Sequence, residues 1–398
     1  MSPYIFLVAG EESGDRLGAA LLTAIRRREP GARFSGVGGT HMANEGLPSL
    51  FPLGDLAIVG IGAIVASLPN ILRRIRETAD AVIAARPDAL VLIDSPEFTH
   101  RVARRVRARA PSIPIVDYVC PSVWAWRPGR ARAMRSYVDH VLALLPFEPA
   151  EMRRLGGPPC TYVGHPLSER VAATSPNAEE ARRRLSDPPL LLVLPGSRSG
   201  EIRRMAGVFG DCVALVADRI GALEVVVPAV PRLADAIRTT TASWRQPVRI
   251  VTAPGDKDAA FRNARAALTK SGTSTLELAL AGVPMVAGYK VSFLEAMVAR
   301  LMLKGESVIL ANLVLRENVV PELLQQDCTP DRLADVLLPL LSDTPERRRQ
   351  IEAFARLNGI MEIGTAVPSD RAAARVLGCI AGFNQIKRET VASAPPTA

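Results

Sequence analysis

The chain reads as α/β, with two doubly wound, Rossmann-like domains facing a cleft. Three observations predict this. Apolar runs alternate with helical stretches along almost the whole sequence, the pattern of parallel sheets with helices on both faces. Several runs are only four or five residues long and apolar throughout, as strands buried on both faces are. At 398 residues the chain is long for one core, so two domains are expected.

In the first half, strands are expected at Tyr4–Ala9, Arg33–Val37, Ala89–Ile93, Ile115–Val119, His140–Ala143 and Thr161–Val163. In the second half they are expected at Leu190–Leu194, Glu224–Val227, Val248–Val251, Ala266–Thr269, Pro284–Ala287 and near Val308–Leu310. The stretch from Ser175 to Pro189 is polar, charged and Pro-bearing, with one short helix at Ala178–Leu185. The domain junction is placed just before it. This gives domains at 1–174 and 175–345, C-terminal helices at 346–388 and a disordered tail at 389–398.

Composition narrows the class. Apolar residues make up 48% and charged residues 22%, as in globular proteins, and the net charge is +9. All but five of the 49 basic residues are Arg, which binds phosphate in a planar, bidentate way. The run from Arg101 to Arg135 holds nine Arg and one acid, Asp117. It lacks the spaced aromatics of a single-strand binder, so a membrane or solvated face is favoured and no nucleic acid is expected. The five cysteines are scattered, with no CxxC pair, so neither a disulfide framework nor a zinc site is indicated. The sequence opens directly into a strand, and neither a signal peptide nor a spanning helix is expected, which makes the cytoplasm the natural compartment.

The chemistry concentrates in turns that follow strands. The most informative stretch is AALTKSGTSTLELALAGVPMVAGY, residues 266–289. It reads as strand, small-residue turn, short helix and strand, with Ala281-Gly282 as the helix stop. Free N–H groups at the helix start after Ser271, Gly272 and Thr273 suit a diphosphate. Glu277, one turn further in, is an acid on an otherwise apolar helix; its carboxylate could accept two hydrogen bonds from a ribose diol. The alternative is an ordinary crossover with a solvated Glu. A second turn, Pro195-Gly196-Ser197-Arg198-Ser199-Gly200-Glu201, repeats the strand, glycine, helix-start pattern with Arg198 placed to grip phosphate; the alternative is a solvated βα turn.

The first strand runs into Gly10-Glu11-Glu12-Ser13-Gly14-Asp15, a turn at the carboxyl end of a strand where open sheets bind ligands; the alternative is a tight βα turn capped by Ser13 or Asp15. It is not G-x-G-x-x-G, which disfavours a nicotinamide cofactor. The strand Ala89–Ile93 ends in Asp94-Ser95-Pro96-Glu97, placing Asp94 at the rim as a candidate general base with Glu97 as its competitor; the alternative is a helix N-cap. Ile115–Val119 runs into Cys120-Pro121-Ser122-Val123-Trp124-Ala125-Trp126-Arg127, which carries two of the chain's three Trp. That loop offers an apolar wall and an Arg to a sugar phosphate or lipid, or else forms a packed hinge.

Ile58 to Ile75 holds more apolar residues than one helix face needs, broken by Gly60, Gly62 and Pro69. Ile61, Ile64, Val65, Leu68, Ile71 and Leu72 could lie on a membrane with Arg73 and Arg74 at the headgroups; the alternative is a core helix. Phe293–Lys304 is a second apolar stretch with basic residues.

Together these residues resemble one family closely, lipid-A-disaccharide synthase, an inverting two-domain glycosyltransferase of the GT-B type. The resemblance rests on VAGEESGD at Val8–Asp15, GVGG with a following Met at Gly36–Met42, IDSPEF at Ile93–Phe98 and PSVWAWR at Pro121–Arg127. It continues with LPFE at Leu145–Glu148, GHPL at Gly164–Leu167 and LPGSR with a following Glu at Leu194–Glu201. Ser271–Val286 and Ala311–Gln325 complete it, over about residues 4 to 380. PSVWAWR is specific, whereas GHP and the Ser271 turn also occur in related sugar-nucleotide enzymes. Glu12 stands where Ala is common, a small departure, and Glu97 at a position where Asp and Glu vary.

The resemblance implies transfer from UDP-2,3-diacylglucosamine to the 6-hydroxyl of 2,3-diacylglucosamine 1-phosphate (lipid X), with inversion to a β-1,6 linkage. It implies Asp94 as base and a donor site of Gly196, Ser197, Arg198, Glu201, Ser271, Gly272, Thr273, Glu277 and Asn312. The acceptor side would comprise Glu11, Ser13, Gly14, Asp15, Ser122, Trp124 and Arg127. Helix dipoles and Arg can hold the leaving diphosphate by this logic, so no metal or other cofactor is expected. Acylated substrates imply peripheral attachment to the inner face of the inner membrane. The family can pair or exchange C-terminal segments, which leaves a homodimer open. Another GT-B enzyme, an N-acetylglucosaminyltransferase or a UDP-N-acetylglucosamine 2-epimerase, would explain the donor turn but not PSVWAWR or IDSPEF. A non-enzymatic binder of anionic membrane or nucleic acid would leave both phosphate turns and Asp94 idle.

Overall fold

The computed structural model describes residues 2–56, 61–291, 307–362 and 366–392. The chain divides into two units, Met1–Pro166 with Ile363–Ala398, and Leu167–Glu362.

In the first unit six strands form one parallel sheet: β1 (Tyr4–Ala9), β2 (Arg33–Val37), β3 (Ala89–Ile93), β4 (Ile115–Tyr118), β5 (His140–Ala143) and β6 (Cys160–Tyr162). Their order is β2-β1-β3-β4-β5-β6. The alternation within β1 shows why it is central. Phe6 and Val8 pack with Val82, Val102 and Val106 on one face, and Ile5, Leu7 and Ala9 with Leu21, Ile25 and Val376 on the other. Two hydrophobic faces require two helical layers. The helices Ile61–Ala85 and Pro96–Arg109 cover the first face; Glu12–Arg28 and the C-terminal Pro368–Ala392 cover the second.

The second unit repeats the plan with β7 (Leu190–Leu194), β8 (Glu224–Pro228), β9 (Val248–Val251), β10 (Ala266–Lys270), β11 (Met285–Tyr289) and β12 (Glu322–Leu324), in the order β12-β11-β10-β7-β8-β9. Leu191, Val193, Val225, Val227 and Leu268 pack against Ile202, Met205 and Phe209 of the helix Ser199–Ile220.

In each sheet the chain reverses its direction of winding at one place. These are the switch points where open α/β sheets bind ligands. They lie between β1 and β3 in the first unit and between β7 and β10 in the second.

Three sequence expectations change. Val308–Leu310 is not a strand, since Leu310 begins the helix Leu310–Leu315; the sixth strand is the three-residue edge at Glu322–Leu324, paired with Ala287–Tyr289. So short a strand carries no periodicity to read. The expected junction at 174/175 falls inside the second unit, because the segment after Pro166 is fastened there: Arg170 pairs with Glu277 and Asp258. The last helix runs through Ala392, past the expected tail boundary, and residues 393–398 lie outside the described residues. It belongs to the first unit, where Arg371 donates to the Tyr162 carbonyl (3.1 Å) and Asp370 pairs with Arg27 (3.2 Å).

Among the described residues no helix is long and apolar enough to cross a membrane, and no cluster of His, Cys, Asp or Glu is arranged to hold a metal.

Candidate active site

At the first switch point the turns after β1 and β3 meet. Asp94 and Ser95 both adopt left-handed backbone, with φ of 59° and 47°. Two consecutive non-Gly residues there cost about 1–3 kcal/mol each. The conformation is held by the Asp94 N–H donating to the Tyr118 carbonyl (3.1 Å), the Ser95 N–H to Asp94 Oδ1 (2.8 Å) and Thr99 Oγ1 to the Asp94 carbonyl (2.9 Å). Gly10 is required beneath: a Cβ there would lie 2.4 Å from Ser95 Cβ. Ser13 Oγ donates to Asp94 Oδ2 (2.9 Å). The carboxylate is thus aimed by both turns while staying partly exposed.

Glu97, the competitor, is committed elsewhere. It pairs with Arg127 (3.1 Å) and Arg130. Burial pushes its carboxyl up, but Arg130, Arg127 and Arg101 outweigh this and hold it below the usual value. Glu11 is exposed at the start of the helix Glu12–Arg28, and Gly14 packs that helix onto β3. Asp15 differs from expectation. It is buried, and its carboxylate accepts from the N–H groups of Gly39 (2.7 Å), His41 (2.9 Å) and Met42 (3.0 Å), so it caps the helix Thr40–Asn44.

The PSVWAWR loop is built as a wall. Trp124 Nε1 donates to Glu148 Oε1 (3.4 Å), and its ring meets Phe147 edge-on. Arg127 stacks over Trp126 at 4.4 Å. Arg127 is half exposed and Ser122 exposed, so both remain available to a ligand. Glu148, unremarked as a site residue in the sequence, anchors the loop from below: burial raises its carboxyl to about 7, opposed by hydrogen bonds from Leu145, Trp124 and Leu144.

At the second switch point the two phosphate-friendly turns are joined by one carboxylate. Glu201 Oε2 accepts from the Ser197 N–H (3.0 Å), and Oε1 from Lys270 Nζ (2.9 Å). Burial pushes Glu201 up, but Lys270 chiefly brings it below its ordinary value. Gly196, at φ 143°, passes so close that a Cβ would sit 2.5 Å from Glu201 Cβ. Glu201 is therefore a strut that ties the two turns together. Arg198 stays 76% exposed, with only a 4.0 Å approach to Glu201, free to reach an anion. The helix Thr273–Leu280 starts at Gly272 with no side-chain cap, leaving its first N–H groups open to an anion.

Glu277 is partly buried one turn below, paired with Arg170 (2.8 Å) and Lys257 (3.5 Å). Asn312 departs from expectation: it is buried, its Oδ1 accepts from the N–H groups of Val319 and Val320, and its Nδ2 donates to Ser307 Oγ and the Val320 carbonyl. Its amide fixes the loop before β12. Sequence reasoning passed over Lys270, Arg170 and Lys257; the only available signal was that these two Lys are among five in the chain.

Among the apolar residues considered for a membrane, Ile71 and Leu72 pack partly against the first core, and Arg74 lies over Phe51 while pairing with Asp55 and Glu77. Leu68 is 44% exposed, and Arg73 is exposed beside Asn70. The side chains of Ile61, Ile64 and Val65, and the stretch Phe293–Lys304, lie outside the described residues.

Against known proteins, residues 5–364 match the family described as lipid-A-disaccharide synthetase. A lipid-A-disaccharide synthase of Nitrobacter winogradskyi is 62% identical over 373 residues, 94% of each chain. Among solved structures, MurG of Acinetobacter baumannii aligns with a TM-score of 0.55 at 15% identity, over 96% of this chain and 100% of that one. A UDP-N-acetylglucosamine 2-epimerase of Neisseria meningitidis aligns with a TM-score of 0.58 at 10% identity, over 96% and 100%. At such identities the structural likeness establishes the GT-B fold alone.

Proposed function

The chain belongs to the lipid-A-disaccharide synthase family, glycosyltransferases of lipid A biosynthesis, and on that premise we propose how its residues divide the work. The donor is UDP-2,3-diacylglucosamine and the acceptor lipid X. Asp94 takes the proton from the acceptor 6-hydroxyl as that oxygen bonds to the anomeric carbon; the bond from that carbon to the diphosphate breaks, and UDP leaves with the electron pair. Attack opposite the leaving group gives the β-1,6 linkage.

The observation that carries this reading is the Asp94 carboxylate, strained into place at one switch point and oriented by Ser13. Departure of UDP needs compensation of negative charge, which Arg198, Lys270 and the open helix start at Gly272 can supply. Glu277 receives the ribose diol in place of one of its present cations. On the acceptor side, Trp124 and Trp126 offer an apolar surface, and Arg127 a partner for the 1-phosphate. MurG-type and epimerase readings share the fold but leave PSVWAWR without a task.

Acylated substrates place the enzyme at the inner-membrane surface, with Leu68 and Arg73 as the described contacts. Leu68→Glu should reduce binding to anionic vesicles with an unchanged melting temperature; undiminished binding would remove this segment from the membrane contact. The function itself is tested by acceptor-dependent disaccharide formation, with Asp94→Asn retaining UDP binding while losing turnover.

A further inference from the structure

Ser271 sits in the diphosphate turn, yet its hydroxyl does not face an open space. Its Oγ donates to Glu322 Oε1 at 2.7 Å. A hydroxyl has one proton. Spent on Glu322, it leaves Ser271 only lone pairs to present to a phosphate, and those repel. Ser271 is buried, so it acts as a strut while the neighbouring N–H groups are left to the anion.

Glu322 is placed for this by the sheet. In register, Thr269 of β10 lies beside Ala287 of β11, which lies beside Glu322 of β12. The small Ala287 lets the carboxylate reach across one strand to the turn beyond β10. Its other oxygen accepts from Ser307 Oγ (3.1 Å) and the Val308 N–H (3.2 Å). On the opposite flank Glu201 holds Lys270, the residue before Ser271. Two acids beside a diphosphate site would oppose binding unless each were occupied in holding a donor group or a turn, and both are.

We propose that Glu322 is a positioning residue of the transferase, fixing the diphosphate-binding turn through Ser271 and thereby setting affinity for the uridine nucleotide. The proposal rests on the donor-site reading above. It is tested by calorimetric titration of UDP into the wild type, Ser271→Ala, Glu322→Ala, Glu322→Gln, Ser307→Ala and the double variant Ser271→Ala/Glu322→Ala. A lost hydrogen bond to a charged group predicts weakening by about tenfold to a hundredfold for Glu322→Ala and Ser271→Ala. The double variant should bind no more weakly than Glu322→Ala, since the two residues act as one unit. Glu322→Gln, which keeps an acceptor oxygen, should stay within about threefold of wild type. In turnover, the KM for the UDP-sugar should rise and that for lipid X should not.

Ser307→Ala separates positioning of the turn from general support of the fold, because it removes a partner of the same carboxylate on the far side. It should bind UDP as wild type does. Wild-type affinity in Ser271→Ala, or additive losses in the double variant, would overturn the proposal, as would Ser307→Ala reproducing the Glu322→Ala defect. If Glu322→Ala fails to fold, Ser271→Ala and Glu322→Gln decide alone. Absence of UDP binding in the wild type would overturn the donor-site reading itself, a result distinct from UDP binding that ignores Glu322.

Discussion

Ser13 Oγ lies 2.9 Å from Asp94 Oδ2 and donates to it, so the turn after β1 aims the carboxylate that the turn after β3 carries. Neither residue is near the other in sequence; the β1–β3 pairing brings them together. Removing the proposed base should be far more costly than removing its support. Asp94→Asn should lower kcat by roughly 10²- to 10⁴-fold with UDP binding intact. Ser13→Ala should cost about tenfold, the worth of one hydrogen bond to a charged group. Equal losses in the two variants, measured by disaccharide formation, would mean that Ser13 does more than orient Asp94.

Glu277 should confer recognition of the ribose. Its carboxylate pairs with Arg170 and Lys257, so a ribose diol must replace part of an existing pairing. Glu277→Ala should bind UDP more weakly and also lose discrimination between UDP and 2′-deoxy-UDP. Competition titration with the two nucleotides checks this; a variant that still prefers the ribose would place recognition elsewhere.

Glu148 makes the Trp124 loop sensitive to pH. Burial raises its carboxyl from 4.5 to about 7. Between those values the folded chain keeps a proton that the unfolded chain has released. This contribution to stability is therefore full below pH 4.5 and lost as pH rises through about 7. Trp124, hydrogen-bonded to the same carboxyl, should report the ionisation as a change in indole fluorescence with a midpoint near 7. Glu148→Gln should abolish that transition, and its persistence would assign it to another group.

His140 has the opposite sign. Burial, then Arg375, lowers it from 6.5 to about 4. Its Nε2 faces both Thr161 Oγ1 (2.9 Å) and Arg375 Nε (3.2 Å), and an Arg can only donate, so that nitrogen carries a lone pair and the ring is neutral. The stability it contributes is present above pH 6.5 and lost as pH falls through about 4. His140→Gln should narrow the gap in urea midpoint between pH 7.5 and pH 5, and an unchanged gap would contradict the pairing.

Much of this was legible in the sequence, for physical reasons. Buried parallel strands such as LLLVL at Leu190–Leu194 announce themselves because both faces must be apolar. The turns at Gly10, Asp94, Gly196 and Ser271 follow, since a strand ending in a small-residue turn and helix can be read locally. What could not be read was which carboxylates are used up internally. The carboxylates of Asp15 and Glu201, and likewise the amide of Asn312, sit in the right motifs, yet their polar atoms are spent on backbone and side-chain partners up to 69 residues away in sequence. Glu322 was hidden for the complementary reason. It lies on a three-residue edge strand, and its partner Ser271 is 51 residues earlier. Long-range pairing of side chains, unlike strand burial, leaves no periodic trace.

The most direct measurement is release of UDP from UDP-2,3-diacylglucosamine in detergent micelles, with and without lipid X, by the wild type and Asp94→Asn. Release that depends on lipid X, yields a disaccharide phosphate and disappears in Asp94→Asn is the predicted result. UDP binding without release from this pair, or full release by Asp94→Asn, would contradict the assignment of substrates or of the base respectively.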